Sequence, residues 1–393
     1  MINQKKIKIL IVGAGMFVTG RGANNYGTVL PAVCSEYVNE NVSEIILAST
    51  NVQSANYAKK IILKINKIFN KKINFKSFPE KKNNKKEYLK IAKTYKPDAA
   101  IISVPDHLHY EITKNLIQLN IHCLVVKPLT DNLSHAKDLI KLTNKHKVLG
   151  LVEFHKRFDE ANLIIKEKIK SNGIGELLYS VIEYSQKKII PEKIFKNWHN
   201  HTNIFQYLGV HYVDLIYYFT GFIPINVKAN GQSEYLKSKK INNFDSIQVI
   251  IEWEKPNKEN FISYHFSSWI DPNTSSSMSD QKISIIGSLG KIVSDQKNRG
   301  LQFVEDKNGI QDINPYFSSL ISKQNYSDSQ FFGYGFKSIS QFVNNVKQIV
   351  CENKNYKIFK KNNRSFEEAK FSTSIIEAAN KSLKSGKQEK IYL

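Results

Sequence analysis

The stretch Lys8-Ile-Leu-Ile-Val-Gly-Ala-Gly-Met-Phe-Val-Thr-Gly-Arg-Gly22 constrains the fold more than any other. An apolar run, Ile9–Val12, ends in Gly13 and Gly15, and a helical segment follows from about Thr28 to Val38. Short apolar runs of this kind mark buried parallel strands. Glycines directly after one let the chain turn tightly and let a ligand approach the backbone with no Cβ in the way. A pyrophosphate then rests on the free N–H groups of the next helix. The stretch therefore reads as a dinucleotide-binding strand-to-helix turn, with Gly13, Gly15, Met16 and Phe17 as cofactor contacts. Its spacing departs from G-x-G-x-x-G: Val18 takes the third glycine's place, and a longer loop carries Gly20, Arg21, Gly22 and Gly27. Taken alone, a glycine-rich turn with no ligand is the alternative.

The same alternation continues downstream. Apolar runs at Ile45–Ala48, Ala99–Val104, Cys123–Val126 and Val148–Val152 are separated by helical patterns near Gln53–Phe69, Lys85–Tyr95, His109–Leu119 and Asn132–Lys145. This predicts an α/β Rossmann domain, a doubly wound parallel sheet over residues 1–152, whose strand C-termini share one ligand-binding edge. The second of these strands ends in Ser49-Thr50-Asn51, with no Asp or Glu to hold a ribose 2′-hydroxyl; Glu44 lies at the wrong end. Three hydrogen-bonding side chains, with Lys59 or Lys60 on the next helix, suit a 2′-phosphate. The cofactor is thus read as NAD(P) with a lean to NADP, the alternative being plain turn and cap residues. Ser103-Val-Pro105 closes another strand beside the cofactor, Asp106 reads as the next helix's cap, and His109 faces the crevice or is structural. Lys127 ends a strand just before Pro128, which keeps it out of helical geometry and points it at the crevice, unless it is a solvated strand-end lysine.

The texture changes after Val152. A helix from about Asp159 to Asn172 leads into strands at Leu177–Gln186, Ile225–Ala229, Ser246–Trp253, Asn260–Trp269, Lys282–Ile286, Lys291–Ser294 and Leu301–Glu305. Alternating faces such as Ile247, Val249, Ile251 and Trp253 predict an α+β second domain, residues 153–393, with an open, largely antiparallel sheet. The partly apolar outer face of that sheet implies a homo-oligomer. Helices are expected at Gly333–Val350 and Ser365–Leu383.

Within this half, Asn203–Gly221 reads as a helix with Tyr207, His211, Asp214 and Tyr218 on one stripe among apolar neighbours. A structural polar network is one account. The other is chemical. Oxidising a secondary alcohol sends a hydride to a nicotinamide and leaves a proton for the protein to take. His211 suits the proton, Asp214 would orient it, and a desolvated Lys127 would hold the oxyanion or share the proton. Trp198, His199 and His201 lie just upstream, either lining a substrate subsite or forming a surface Trp-His loop.

The glycine loop, Val104-Pro105 with His109, Lys127-Pro128 and Gly209-Val-His-Tyr-Val-Asp214, in this order, resemble the glucose–fructose oxidoreductase / inositol dehydrogenase / rhizopine catabolism (Gfo/Idh/MocA) family. The resemblance covers most of the chain. It departs where the family's Glu-Lys-Pro has Val126 for Glu, and where an Asp four residues before the histidine is Tyr207. It implies an NAD(P)-dependent oxidoreductase acting on a ring hydroxyl of a sugar, sugar derivative or inositol. It also implies Lys127, His211, Tyr207 and Asp214 as catalytic residues, His155 and Arg157 on the substrate side, and C-terminal helices from about residue 333 packing back across the domains. Two rivals share the fold: a glycoside hydrolase using tightly held NAD in a transient oxidation, and a cofactor-binding regulator without turnover.

The net charge of +22 raises the question of nucleic acid. The densest stretch, Lys71–Lys96, holds ten lysines and two glutamates with few aromatics, which favours a solvated helix face and loop. Cys34, Cys123 and Cys351 are scattered without metal spacing, so no metal is expected and the thiols read as reduced. With no apolar run of about 18 residues and little room for a leader before the first strand, the expectation is a cytoplasmic protein.

Overall fold

The structure, a computed structural model, describes residues 5–21, 25–196, 198–321, 330–361 and 363–393, so Gly22 lies outside the described residues. The chain forms two compact units. The first comprises Met1–Thr130, Ser134–Phe158 and Tyr316–Ala369; the second comprises Asp131–Leu133, Asp159–Pro315 and Lys370–Leu393.

The first unit is built on β1 (Ile7–Val12), β2 (Val42–Ala48), β3 (Phe75–Phe78), β4 (Ala99–Ile102), β5 (His122–Val126) and β6 (Gly150–Glu153). These form one parallel sheet in the order β3-β2-β1-β4-β5-β6. Between them run α1 (Met16–Thr19), α2 (Val29–Val38), α3 (Val52–Phe69), α4 (Glu87–Tyr95), α5 (His109–Ile117) and α6 (Leu133–His146). Strand order reverses between β1 and β4, which opens the crevice at their C-terminal ends where such sheets take ligands. Ile9, Ile11, Ile45, Leu47, Ile101 and Leu124 are fully buried, as expected of strands covered on both faces. β3, whose Lys76 and Ser77 interrupt any apolar run, carries no strand signal in its sequence, and neither do the later strands Gly309–Ile313, Ser319–Ile321, Gln330–Phe332 and Glu389–Lys390.

The second unit contains α7 (Glu160–Lys170), β7 (Leu177–Lys187), α8 (Val210–Thr220), β8 (Ile223–Gln232), α9 (Tyr235–Ser238), β9 (Ser246–Glu254), β10 (Asn260–Asp271), β11 (Ser279–Gly287) and β12 (Gly290–Asp295). A ribbon of β13 (Leu301–Glu305) and β14 (Gly309–Ile313) follows, then a short pair in the first unit, β15 (Ser319–Ile321) and β16 (Gln330–Phe332). The helices α10 (Tyr334–Glu352) and α11 (Phe366–Ser385) and the strand β17 (Glu389–Lys390) close the chain. The second sheet runs β12-β11-β7-β10-β9-β8-β17 and is antiparallel except between β7 and β10. Leu301–Glu305 is a strand as expected, yet it pairs in the separate ribbon rather than in the main sheet. Ile247, Val249, Ile251 and Trp253 face inward together, all nearly fully buried.

The C-terminal stretch supplies part of the first unit's core. Along α10, Ile339, Phe342, Val343 and Val346 recur at helical spacing and pack with residues of α2 and β1.

Gly13 is the tightest point of the parallel sheet. Its φ is +105°, and a Cβ there would lie 2.0 Å from the Ser103 carbonyl oxygen. Gly13→Ala is therefore expected to destabilise the protein by about 3 kcal/mol, read as a lowered urea midpoint; an unchanged midpoint would contradict this close approach.

Candidate active site

The ends of β1, β2 and β4 meet through the backbone. Gly13 N–H donates to the Ala48 carbonyl at 2.8 Å, and Ser103 N–H donates to the Val12 carbonyl at 2.9 Å. Gly15 starts α1, which carries Met16 and Phe17, and a Cβ on Gly15 would meet nothing within 4 Å. That open flank is a cradle that fits a dinucleotide. Val18 is fully buried on α1, so the side chain that breaks the glycine pattern serves the core.

The end of β2 is polar and uncharged. Ser49 is buried, its hydroxyl 2.9 Å from the Asn51 carbonyl and 3.1 Å from that of Phe78, so it is committed to main chain. The Asn51 side chain accepts from Ser54 N–H at 2.8 Å and caps α3, while Thr50 is exposed. Arg21, not singled out from sequence, donates from Nη1 to Ser54 Oγ at 2.6 Å and so brings a guanidinium to the first turn of α3. A cation in the glycine loop was the only hint.

Lys127 follows Val126, which pairs in register with Glu153 across β5 and β6. It is 7% exposed. Burial pushes its ammonium down to about 8, while the negative charges of Asp106 and Glu153 pull the other way. Asp106 is buried and begins a short 3-10 turn, Asp106–Leu108, so the cap position of α5 falls on Leu108 and not on Asp106 as expected. His109 is 1% exposed, not open to the crevice; its Nδ1 lies 2.7 Å from the Pro128 carbonyl and its Nε2 2.9 Å from that of Val104. It ties the loops that carry Pro105 and Lys127 to each other.

Glu153 is the unforeseen member of this edge. It is fully buried; Oε2 lies 2.9 Å from His155 Nδ1, and Oε1 accepts from Ser338 Oγ at 2.8 Å. Burial alone would raise its carboxyl, but His155, Arg364 and Ser338 outweigh that and hold it below the ordinary glutamate range. The His155 ring packs among Phe17, Phe317 and Tyr334 at centroid distances of 6.0, 5.1 and 5.8 Å. Arg157 is buried in an ion pair with Glu368 at 2.5 Å.

In the second unit one wide π turn, Phe205–Gly209, leads into α8, which Gly221 closes at φ +67°. His211 and Asp214 are both nearly fully buried on α8, and His211 lies 6.3 Å from the Tyr184 ring. Tyr207 sits in an aromatic cluster with Phe195, Trp198 and Trp269 at 4.7, 6.0 and 6.4 Å. The His199 carbonyl accepts from Asn243 Nδ2 at 2.6 Å. Beside this loop is a cavity of about 450 Å³, lined in part by His201, Thr202, Asn203, Gln206 and Asn380. A cavity of about 520 Å³ in the first unit borders Asp98 and His122 at the opposite, N-terminal ends of β4 and β5, away from this chemistry. Among the described residues no cluster of three or more His, Cys, Asp or Glu could hold a metal ion. Among them, too, no helix is long and apolar enough to cross a membrane.

Residues 7–154 match the oxidoreductase family with an NAD-binding Rossmann fold, and residues 163–293 match the Gfo/Idh/MocA C-terminal domain. The chain belongs to the Gfo/Idh/MocA family. It is similar in fold to the myo-inositol 2-dehydrogenase of Lactobacillus plantarum, with a TM-score of 0.70 at 17% identity, covering 99% of this chain and 100% of that one. The scyllo-inositol dehydrogenase of Lactobacillus casei with bound NAD(H) and scyllo-inositol gives 0.69 at 15% identity, covering 98% and 99%. In sequence it is 25% identical over 151 residues to the scyllo-inositol 2-dehydrogenase (NADP(+)) of Bacillus subtilis, covering 37% of this chain and 41% of that relative. The chain spans less than two thirds of the length of the other curated relatives it matches as well.

The depressed Lys127 has a stability signature. An unfolded lysine near 10.5 binds its proton where the folded one, near 8, has lost it. The unfolded chain therefore binds more protons between these values, and stability rises with pH through that window. Below it, burying the ammonium costs about 3 kcal/mol. Lys127→Met is expected to be more stable than wild type near neutrality, with the difference vanishing by about pH 10.5. A pH-independent difference in urea midpoint would contradict the depressed lysine.

Proposed function

We propose that this Gfo/Idh/MocA protein is an NAD(P)-dependent dehydrogenase moving a hydride between the nicotinamide and a ring hydroxyl or ketone of inositol, a sugar or a sugar derivative. The observation that carries the reading is Lys127, desolvated at the C-terminal edge of a dinucleotide-binding sheet and close to neutrality in its titration. When bound, the cofactor supplies the hydride acceptor. The protein's part is the proton and the oxyanion. Lys127 in its charged form stabilises an alkoxide at the oxidised carbon, and in its neutral form accepts the proton. His211, backed by Asp214, is the second proton acceptor, and Tyr207 offers a further hydroxyl donor. His155, Arg157, Trp198 and His199 are proposed on the substrate side, with Arg157 acting through its ion pair.

The lean to NADP now has better support than Ser49. The end of β2 carries no carboxylate, Thr50 is exposed, and Arg21 reaches Ser54 beside the Asn51 cap. A guanidinium there pairs with a 2′-phosphate. The similar Bacillus subtilis enzyme, a scyllo-inositol 2-dehydrogenase (NADP(+)), is in keeping with that preference. Tyr179, Ile250, Phe266 and Val293 are exposed on the outer face of the second sheet, which supports a homo-oligomer assembled through it.

The test is a screen of inositols and sugars with NAD and NADP, read as reduced nicotinamide absorbance. A hit is expected to lose about a thousandfold or more in kcat in Lys127→Met, with cofactor affinity held within a few-fold. Normal turnover in that variant would overturn the assignment of Lys127.

A further inference from the structure

We infer that the lysine loop after β3 sets the cofactor preference: Lys82 and Lys85, together with Arg21, hold the 2′-phosphate that distinguishes NADP from NAD. The inference rests on the dehydrogenase reading above. The lysine-rich stretch that composition leaves as a solvated face thereby acquires a ligand.

The ends of β2 and β3 stay together beyond their last ladder pair, Ala48 with Phe78. Ser49 N–H donates to the Phe78 carbonyl at 2.9 Å. The chain after Pro79 then returns to the same edge. Asn84 N–H donates to the Thr50 carbonyl at 3.0 Å, and Asn83 Oδ1 accepts from Val52 N–H at 3.0 Å. Two consecutive asparagines are thus fixed against the turn from β2 into α3. Asn84 is also held within its own loop: Nδ2 donates to Glu87 Oε2 at 2.7 Å, and Oδ1 accepts from Lys86 N–H at 3.0 Å. Lys82 immediately precedes this docked pair and Lys85 immediately follows it. Each lysine therefore stands one residue from a bond to the end of β2.

The charge at this place is one-sided. From Glu80 to Lys86 the loop carries four lysines and one glutamate. The next carboxylate, Glu87, is buried and turned to Asn84. Lys82 and Lys85 are exposed, and neither forms an ion pair among the described residues. At the same strand end Arg21 reaches the first turn of α3 through Ser54. The uncharged Ser49-Thr50-Asn51 segment is therefore bordered by a guanidinium and by two ammonium-bearing residues. A ribose 2′-hydroxyl gains little from such a surround, whereas a 2′-phosphate carries about −1.5 to −2 charge at pH 7 and is drawn to it. Lysine suits a phosphate met from a loop, because its ammonium is a compact charge on a flexible stem. Lys59 and Lys60, the lysines expected to help, stand about two turns up α3, roughly 10 Å along its axis from Val52. The loop, not that helix, brings lysines to the strand end.

The test is the double variant Lys82→Gln/Lys85→Gln in the full-length protein, with dissociation constants for NADPH and NADH read from fluorescence of the bound nicotinamide. A control, Lys93→Gln/Lys96→Gln, removes the same charge at the other end of α4, where these lysines border the cavity beside Asp98. The wild type is expected to bind NADPH more tightly than NADH, with the gap narrowing as sodium chloride is raised. The loop variant is expected to lose about tenfold in NADPH affinity while NADH stays within about twofold. The control is expected to keep both affinities. An unchanged NADPH affinity in the loop variant, equal losses for both cofactors, or the same loss in the control would overturn the inference and leave the dehydrogenase reading standing. A wild type that binds NADH with no preference for NADPH would do the same. A wild type that binds neither would remove the dehydrogenase reading itself, and the inference with it.

Discussion

Burying one ammonium group organises much of the first unit. Lys127 sits where a strand runs out of the sheet, and its charge is answered by Asp106 and Glu153. Glu153 is itself buried and needs answering, which draws in His155, Ser338 of α10 and Arg364 just before α11. The Arg364 carbonyl also accepts from Val152 N–H at 2.9 Å, so the same residue is stitched to β6. A chain segment some two hundred residues downstream is thereby committed to the parallel sheet, and α10 fills the adjoining core.

The backbone at the other side of the crevice follows a different economy. There the sheet ends in Gly13 against Ser103, and no side chain intervenes. The edge thus combines a bare peptide surface at β1 and β4, a neutral polar end at β2 with a guanidinium close by, and a buried lysine just after β5.

Local features were legible because their causes are local. The glycine turn, the apolar strands, Lys127 before Pro128 and the Asn203–Gly221 helix each carry their signal within a dozen residues. Relations between distant residues left no such trace. The Ser338 bond to Glu153 spans 185 positions, and Glu153 read simply as the residue after an apolar run. The amphipathic face of α10 showed that it packs, not on which sheet. Arg21 was visible only as part of a glycine loop, since its partner Ser54 lies 33 positions on. Asp106 and Ser49 were named for the right neighbourhood but serve other ends: one starts a turn instead of capping it, and the other bonds main chain. His109 likewise spends both ring nitrogens on carbonyls.

The account stands or falls on whether the glycine edge holds a nicotinamide cofactor. The most direct measurement is titration of the purified protein with NADH and, separately, NADPH, following fluorescence of the bound nicotinamide. The account predicts saturable binding of both, with NADPH the tighter because Arg21 faces an uncharged β2 end. Absence of binding by either would contradict it at its root.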